Sequence, residues 1–186
     1  DGGYIITGHT DSFGNGNQDI YLLKTDGSGN EQWSQTFGGT YNDYGYSVQQ
    51  TNDGGYIITG TTDLLTPSFY SDVYLLKTDG SGNEQWSQTF GGTYNDYGYS
   101  VQQTTDGGYI ITGETYASFG SNENVYLIKT DGSGNITSTF NIPVSSNRKL
   151  DKVVDILGRE TKTQHNTPFI EIYDDGSTEK KLIIEK

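Results

Sequence analysis

The stretch YLLKTDGSGNEQWSQTFGGTYNDYGYSVQQT, residues 21–51, decides the fold because it returns letter for letter at residues 74–104. Its first ten letters return a third time, with one change, as YLIKTDGSGN at residues 126–135. The octamer DGGYIITG also recurs, beginning at Asp1, Asp53 and Asp106. The chain therefore contains three copies of one unit, at spacings of 52 and 53 residues. A fixed internal period of this length sets the architecture before any single site is considered.

Each unit is predicted to form four short strands. In one full unit these strands, from the inner to the outer, are residues 44–51, 55–60, 72–78 and 84–90. Residues of the third strand are apolar on both faces, which predicts a strand covered on both sides. The fourth strand alternates and suits an outer strand, on which Trp33 and Trp86 should pack against the neighbouring sheet. The Asp-Gly-Ser-Gly-Asn segment between these two strands is typical of a hairpin turn.

Four antiparallel strands in a period of about 50 residues are typical of a β-propeller blade. No window shows the 3.6-residue apolar period of a helical repeat. We therefore expect an all-β fold of about three tandem four-stranded antiparallel propeller-like blades, in which the first lacks its inner strand. Because propellers have about 4–8 blades, three would form an open arc or lean on further blades. The chain begins inside a repeat, and we expect it to be the C-terminal piece of a longer precursor.

Composition divides the chain after residue 141. Residues 1–141 carry three lysines, no arginine, sixteen acidic residues and 24 of the 26 glycines, whereas residues 142–186 carry eight basic and eight acidic groups. We expect β-propeller-like repeats over residues 1–141, a polar linker over residues 142–151, and a small β module over residues 152–186. Three strands are predicted in this module, at residues 153–157, 169–173 and 181–185.

Charge and composition exclude several classes of function. The net charge of −13 should repel nucleic acid and anionic membranes. Without cysteine, the chain can form no disulfide, thiol nucleophile or Cys-ligated metal site, and no apolar run approaches the ~20 residues of a membrane span. The turn at residues 26–30 has the alternating oxygen side chains of a calcium loop. However, Glu31 and Phe37 stand where an EF-hand needs Gly and Glu, so a simple turn is favoured and no cofactor or metal is expected.

Two parts of the chain resemble known families. The unit DGGYIITG…DVYLLKTDGSGNEQW…FGGTYNDYGYSVQQT resembles propeller-type repeats common in secreted proteins of Bacteroidota, over residues 1 to about 140. The tail KVVDILGRETK…NTPFIEIYDDGSTEKKLIIEK looks like a type IX secretion C-terminal sorting domain. That resemblance implies a small β-sandwich that the outer-membrane translocon recognises and that is usually cleaved. The residues that carry it are Asp155, Leu157, Gly158, Arg159, Glu160, Tyr173, Asp174, Gly176, Lys180 and Lys181.

Repeated tyrosines and aspartates form the candidate ligand site. They are Tyr41, Asp43 and Tyr44 with their copies Tyr94, Asp96 and Tyr97, next to the further tyrosines Tyr46 and Tyr99. Such a cluster at the edge of a blade could stack on sugar rings and bond to their hydroxyls. Alternatively, the rings pack between blades, where the apolar body is buried and the hydroxyl finds a partner.

Catalytic residues are normally unique in a chain, whereas most acidic residues here recur with the repeat. A sialidase-like site would need an arginine cluster, which residues 1–141 lack, and His9 and His165 stand alone and are predicted to be surface residues. We therefore expect a non-enzymatic binding or adhesion scaffold, secreted or on the outer cell surface, with the type IX translocon as partner and a glycan or surface polysaccharide as ligand. The alternative is a C-terminal accessory part of a secreted glycan-degrading enzyme whose catalytic region lies elsewhere.

Overall fold

The computed structural model describes residues 2–63, 70–116, 118, 123–143, 150–155, 158–162, 169–173 and 178–181. These residues form fourteen β-strands and no helix. The chain divides into two compact units, residues 1–144 and residues 145–186. The predicted all-β class is therefore confirmed for the part of the chain that is described.

The first unit contains three antiparallel sheets, each formed by strands that follow one another in the chain. Sheet I consists of β1 (Ile5–Thr10), β2 (Asp19–Thr25) and β3 (Glu31–Phe37). Sheet II consists of β4 (Asp43–Gln50), β5 (Tyr56–Asp63), β6 (Ser71–Thr78) and β7 (Glu84–Phe90). Sheet III consists of β8 (Asp96–Gln103), β9 (Tyr109–Tyr116), β10 (Glu123–Thr130) and β11 (Ile136–Pro143). The predicted strand order within a unit is confirmed, and the described part of sheet I contains no equivalent of β4 and β8, the first strands of sheets II and III.

Several strand bounds differ from the prediction. The second strand of the repeat was expected to end at Gly60, but β5 continues to Asp63 because Asp63 pairs with Ser71 on β6. The linker expected over residues 142–151 is shorter on both sides, since β11 reaches Pro143 and the next strand begins at Leu150. A proline is tolerated in β11 because this strand lies at the edge of sheet III.

The core of the first unit lies between the sheets. One cluster contains Ile20 and Leu22 of sheet I with Tyr56 and Ile58 of sheet II, and Trp33 packs against it. A second cluster contains residues of sheets II and III, and Trp86 packs against that one. Because side chains alternate along a strand, Ile57 joins the second cluster and its neighbour Ile58 the first. The central strands of sheet II are thus covered on both faces, as the sequence predicted.

Both tryptophans contact the next sheet, as predicted. The ring centroids of Trp33 on β3 and Tyr56 on β5 are 5.9 Å apart, and those of Trp86 and Tyr109 are 5.8 Å apart. Each indole also lies against the turn of the following unit: a Cβ on Gly82 would stand 2.7 Å from Cζ3 of Trp33. The outer strand of one unit therefore covers both the second strand and the hairpin turn of the next.

In the second and third units, a lysine links the turn at the start of the unit to the third strand. Lys77 Nζ donates to the carbonyl of Thr78 at 2.8 Å and to Gln85 Oε1 at 3.1 Å, and it forms an ion pair with Asp53 at 3.0 Å. Hydrogen bonds from the Thr51 hydroxyl and from Lys77 lower the pKa of Asp53 to about 2, the first being the larger cause. Lys129 and Asp106 repeat the ion pair at 3.0 Å. The Asp-Gly-Gly turns of these two units are therefore stabilised by residues that recur in the repeat.

The second compact unit contains one antiparallel sheet with strand order β12 (Leu150–Asp155), β13 (Phe169–Tyr173) and β14 (Thr178–Lys181). Val154 and Phe169 are buried within it. The first two strands overlap those predicted. The last strand was expected at residues 181–185, but β14 begins at Thr178, because Thr178 pairs with Ile172 and Lys181 with Phe169. Residues 182–186 lie outside the described residues.

Candidate functional site: a row of tyrosines

Six aromatic rings form a continuous row across the three sheets of the first unit. Successive ring centroids are 4.9, 6.3, 5.8, 6.1 and 6.4 Å apart. In spatial order the rings are His9, Tyr44, Tyr46, Tyr99, Tyr97 and Tyr116, which we call the aromatic row. Its two central rings, Tyr46 and Tyr99, are 44% and 46% exposed. The row therefore combines contact between rings with access from solvent.

A β-bulge in each inner strand places these rings. In sheet II, Gly45 pairs with Gly60 and Ser47 with Thr59, so Tyr46 is an extra residue without a partner on β5. The same irregularity occurs between Gly98 and Ser100 in sheet III, at Tyr99. Bulges bend a strand and re-aim its side chains. Here they leave Tyr44 and Tyr46 nearly parallel, with an interplanar angle of 7°, and the equivalent pair in sheet III at 1°.

A glycine within each bulge lets the neighbouring sheets approach closely. A Cβ on Gly98 would lie 2.6 Å from Thr59 Oγ1 and 2.7 Å from Val73 Cγ1, both in sheet II. Real Cβ atoms do not approach other atoms so closely, so a larger residue would push sheet III away from sheet II. The repeated Tyr-Gly-Tyr sequence therefore provides two rings and the close sheet contact that joins them to the rings of the next unit.

Carboxylates accept hydrogen bonds from two hydroxyls in the sheet III half of the row. The Tyr99 hydroxyl donates to Glu114 Oε1 at 2.6 Å, and the Tyr116 hydroxyl donates to Glu123 Oε1 at 3.0 Å. Desolvation first, and the bond to Glu123 second, raise the pKa of Tyr116 to about 12. Burial and the bond to Glu114 raise the pKa of Tyr99 well above its usual range. Both phenols therefore stay neutral at physiological pH, which leaves a polar border of hydroxyls and carboxylates beside the ring faces.

The two predicted aspartates lie outside the aromatic row. Asp43 and Asp96 are buried, and each accepts a backbone hydrogen bond at 2.8 Å, from Gly39 and Gly92 respectively. Desolvation is the main cause that raises the pKa of both carboxyl groups. Their oxygens thus hold the Gly-Gly turn that precedes each inner strand, which is a structural role.

The predicted tyrosines divide into two groups. Tyr44 and Tyr97 are members of the aromatic row. Tyr41 is exposed and lies in the turn before β4, while Tyr94 packs edge-to-face on Tyr70 at 5.2 Å. The structure therefore brings together the tyrosines of the inner strands and leaves those of the preceding turns apart from them.

Sequence reasoning missed His9, Glu114 and Tyr116. All three follow the octamer DGGYIITG, in positions that differ from copy to copy. They join the site because β1 and β9 extend beyond the octamer, to Thr10 and Tyr116. His9 is exposed, as predicted, but its ring also contacts Tyr44. The alternation of side chains along the strand could have indicated these residues, because it continues past the last glycine of the octamer, where the strand was predicted to end.

The residues of the predicted sorting signal are described in part. Asp155 ends β12, and its carboxylate accepts hydrogen bonds from Arg159 N at 3.0 Å and Arg159 Nε at 2.7 Å. Gly158 has φ +81°, which confirms the sharp turn expected at this glycine. Glu160 forms an isolated antiparallel bridge with Val154, and the Tyr173 hydroxyl donates to Glu171 at 2.9 Å.

Lys180 and Lys181 lie on β14 opposite Ile170 and Phe169. Leu157, Asp174 and Gly176, like His165, lie outside the described residues. In the described part of the chain, no helix is long and apolar enough to cross a bilayer, and no three His, Cys, Asp or Glu residues are grouped as metal ligands.

Fold and site together define an all-β tandem-repeat protein that carries an aromatic row across its sheets. No protein-family model matches the chain, and no curated protein shows significant similarity to it.

Proposed function

We propose that this protein is a non-enzymatic binding scaffold, secreted or displayed on the outer cell surface, whose aromatic row binds a glycan. The observation that carries the proposal is the continuous row with exposed rings at its centre, Tyr46 and Tyr99. A flat ring with a polar tip suits a ligand that has both apolar faces and hydroxyls. Sugar rings have this character, and the phenols, Glu114 and Glu123 offer partners for their hydroxyls.

The order and packing of the sheets support a propeller-like arrangement of the repeats. Three antiparallel sheets follow one another, and the core lies between their faces. The inner strands β4 and β8 each supply two tyrosines to the row, so the row is built from repeated subsites. Repeated subsites favour an extended ligand, because binding at a second subsite becomes intramolecular once the first is occupied.

Truncation of the central rings tests the glycan site. We expect the double variant Tyr46→Ala, Tyr99→Ala to be retained less than the parent protein on native gels that contain the polysaccharide. Each ~1.4 kcal/mol of binding free energy that the variant loses lowers its affinity about tenfold. Tyr41→Ala is the matched control, because Tyr41 is an exposed tyrosine outside the aromatic row. Equal retention of both variants, or no retention of the parent protein by a broad panel of glycans, would contradict the proposed ligand.

Export through the type IX route is proposed from the resemblance of the tail. Its test is a periplasmic reporter fused to residues 142–186 in a type IX-competent bacterium, compared with the same fusion truncated after Asp174. We expect only the complete tail to bring the reporter to the cell surface. If both fusions remain in the periplasm, or both reach the surface equally, the tail is not the export signal.

A further inference from the structure

Identical residues of the three octamers differ sharply in exposure. Tyr4 and Ile6 of sheet I are 58% and 49% exposed, whereas Tyr56 and Ile58 of sheet II are 3% and 0% exposed. The equivalent residues of sheet III, Tyr109 and Ile111, are buried as well. Because the octamer is the same in all three copies, the difference arises from what covers it.

The cover in sheets II and III comes from the preceding sheet. Trp33 lies 5.9 Å from Tyr56, and Trp86 lies 5.8 Å from Tyr109, between ring centroids. The same two indoles pack on the turn glycines Gly82 and Gly134. In sheet I the equivalent glycine, Gly29, has open space where its Cβ would stand. Tyr4, Ile6 and Gly29 thus mark one apolar face of sheet I, which we call the N-face.

The edge of sheet I beside the N-face differs in the same way. In sheets II and III, the second strand pairs along almost its full length with the strand before it. Residues Tyr56 to Thr62 of β5 pair with β4, and residues Tyr109 to Thr115 of β9 pair with β8. In the described part of sheet I, β1 pairs with β2 alone. An unpaired edge next to an apolar face is a ready template for another strand.

We propose that the N-face binds one further repeat unit of this same type, which supplies a tryptophan on its outer strand and an inner strand for β1. The two sheet contacts already within the chain are the template, because they bury the same octamer residues with the same partner types. A head-to-tail second copy of this chain lacks the required indole. Ser138 of sheet III stands where Trp33 and Trp86 stand in sheets I and II.

Docking of such a unit would also extend the aromatic row. Its inner strand would carry the Tyr-Gly-Tyr sequence that places Tyr46 beside Tyr99 at 5.8 Å. By the same geometry, the new bulge tyrosine would stand beside Tyr46. The proposal stands without the glycan assignment, because it rests on burial and strand pairing alone.

The test is an extended chain in which a copy of residues 1–52 is placed directly ahead of Asp1. The junction then repeats the natural one, since residue 52 precedes Asp53 in the parent chain. Hydrogen exchange of the backbone amides in the original β1 is compared between the parent and extended chains. We expect exchange to slow at least tenfold and the melting temperature to rise. The matched control carries Trp33→Ser in the added copy alone, and it should lose most of both effects.

Three outcomes overturn the proposal. The first is β1 exchange that the added unit leaves unchanged, and the second is an added unit that remains unfolded, because docking on the N-face is what should order it. The third is a parent chain that dimerises in analytical ultracentrifugation and becomes monomeric with Tyr4→Ser and Ile6→Ser. In that case the N-face is a contact between copies of the chain.

Discussion

Tyr46 and Tyr99 lie on the inner strands of neighbouring sheets, and their ring centroids are 5.8 Å apart. This contact crosses the boundary between two repeat units and joins two stacked tyrosine pairs into one row. Each ring is the extra residue of a β-bulge, and each bulge contains a glycine that fits against the sheet before it. The aromatic surface is therefore a property of the repeat interface and does not belong to either unit alone.

We expect Trp86→Ala to lower the free energy of unfolding by about 2–4 kcal/mol. A fully buried tryptophan costs about 3–5 kcal/mol on truncation, and Trp86 is only partly buried. Its removal takes the cover from Tyr109 and from the turn at Gly134. Urea unfolding followed by circular dichroism measures the change. A loss below ~0.5 kcal/mol, the range of surface sites, would show that the indole does not hold the two sheets together.

Gly98→Ala should cost about 1–3 kcal/mol, the usual range for overpacking. The new methyl group would collide with Thr59 and Val73 and would separate sheet III from sheet II. Gly92→Ala is the matched control, because a Cβ there meets nothing within 4 Å and the backbone amide that bonds Asp96 is kept. Thermal unfolding of both variants gives the comparison. Equal melting temperatures would mean that the sheets tolerate a wider spacing than the structure indicates.

Asp72→Asn should stabilise the protein at pH 7. Burial first, and the nearby carboxylate of Asp96 second, raise the pKa of Asp72 to about 6 in the folded protein, against 3.8 for an ordinary aspartate. The native state thus binds this proton more tightly than the unfolded chain, and the stability that the proton provides is lost as pH rises from about 4 to about 6. Since the pair is half-buried and screened, we expect a gain of about 1 kcal/mol at pH 7.

Melting temperatures at pH 4, 5, 6 and 7 measure this effect. The parent protein should lose stability relative to Asp72→Asn across that interval, and the two should converge near pH 4. The third unit already has Asn124 at the equivalent position. Parallel pH profiles of the two proteins would show that Asp72 titrates normally.

Gly158→Val should disrupt the tail, and Gly158→Asn should be tolerated. The backbone at Gly158 has φ +81°, where β-branched residues are strained and asparagine is accepted more readily. The turn also presents Arg159 to the Asp155 carboxylate. In the reporter fusion to residues 142–186, valine should reduce surface export and asparagine should preserve it. Greater surface export with valine than with asparagine would show that export does not depend on the shape of this turn.

The repeat made the strands predictable, because alternation and turn residues recur in every copy. Trp33 and Trp86 could be assigned to an intersheet contact from the alternation of the outer strand alone. The aromatic row could not be predicted in full. A bulge is a change of register between two paired strands, and nothing in Tyr44-Gly45-Tyr46 alone says which residue loses its partner. Tyr116 contacts Tyr97 because β9 continues beyond the octamer and stays paired with β10.

The two aspartates illustrate the other limit. Asp43 and Asp96 recur beside tyrosines, which made them reasonable partners for a sugar hydroxyl. Their burial and their bonds to Gly39 and Gly92 follow from the path of the turn before each inner strand. That path depends on how the sheets pack, and the packing of segments distant in the chain cannot be predicted from a short sequence motif.

The covering of the second and third octamers by the tryptophan of the preceding unit has a consequence for the number of units in the array. Every junction between full units uses the same donor and acceptor residues, so the loss or gain of one whole period regenerates a native junction at the point of exchange. The length of this array can therefore change by one whole unit without any need for compensating substitutions at the junction.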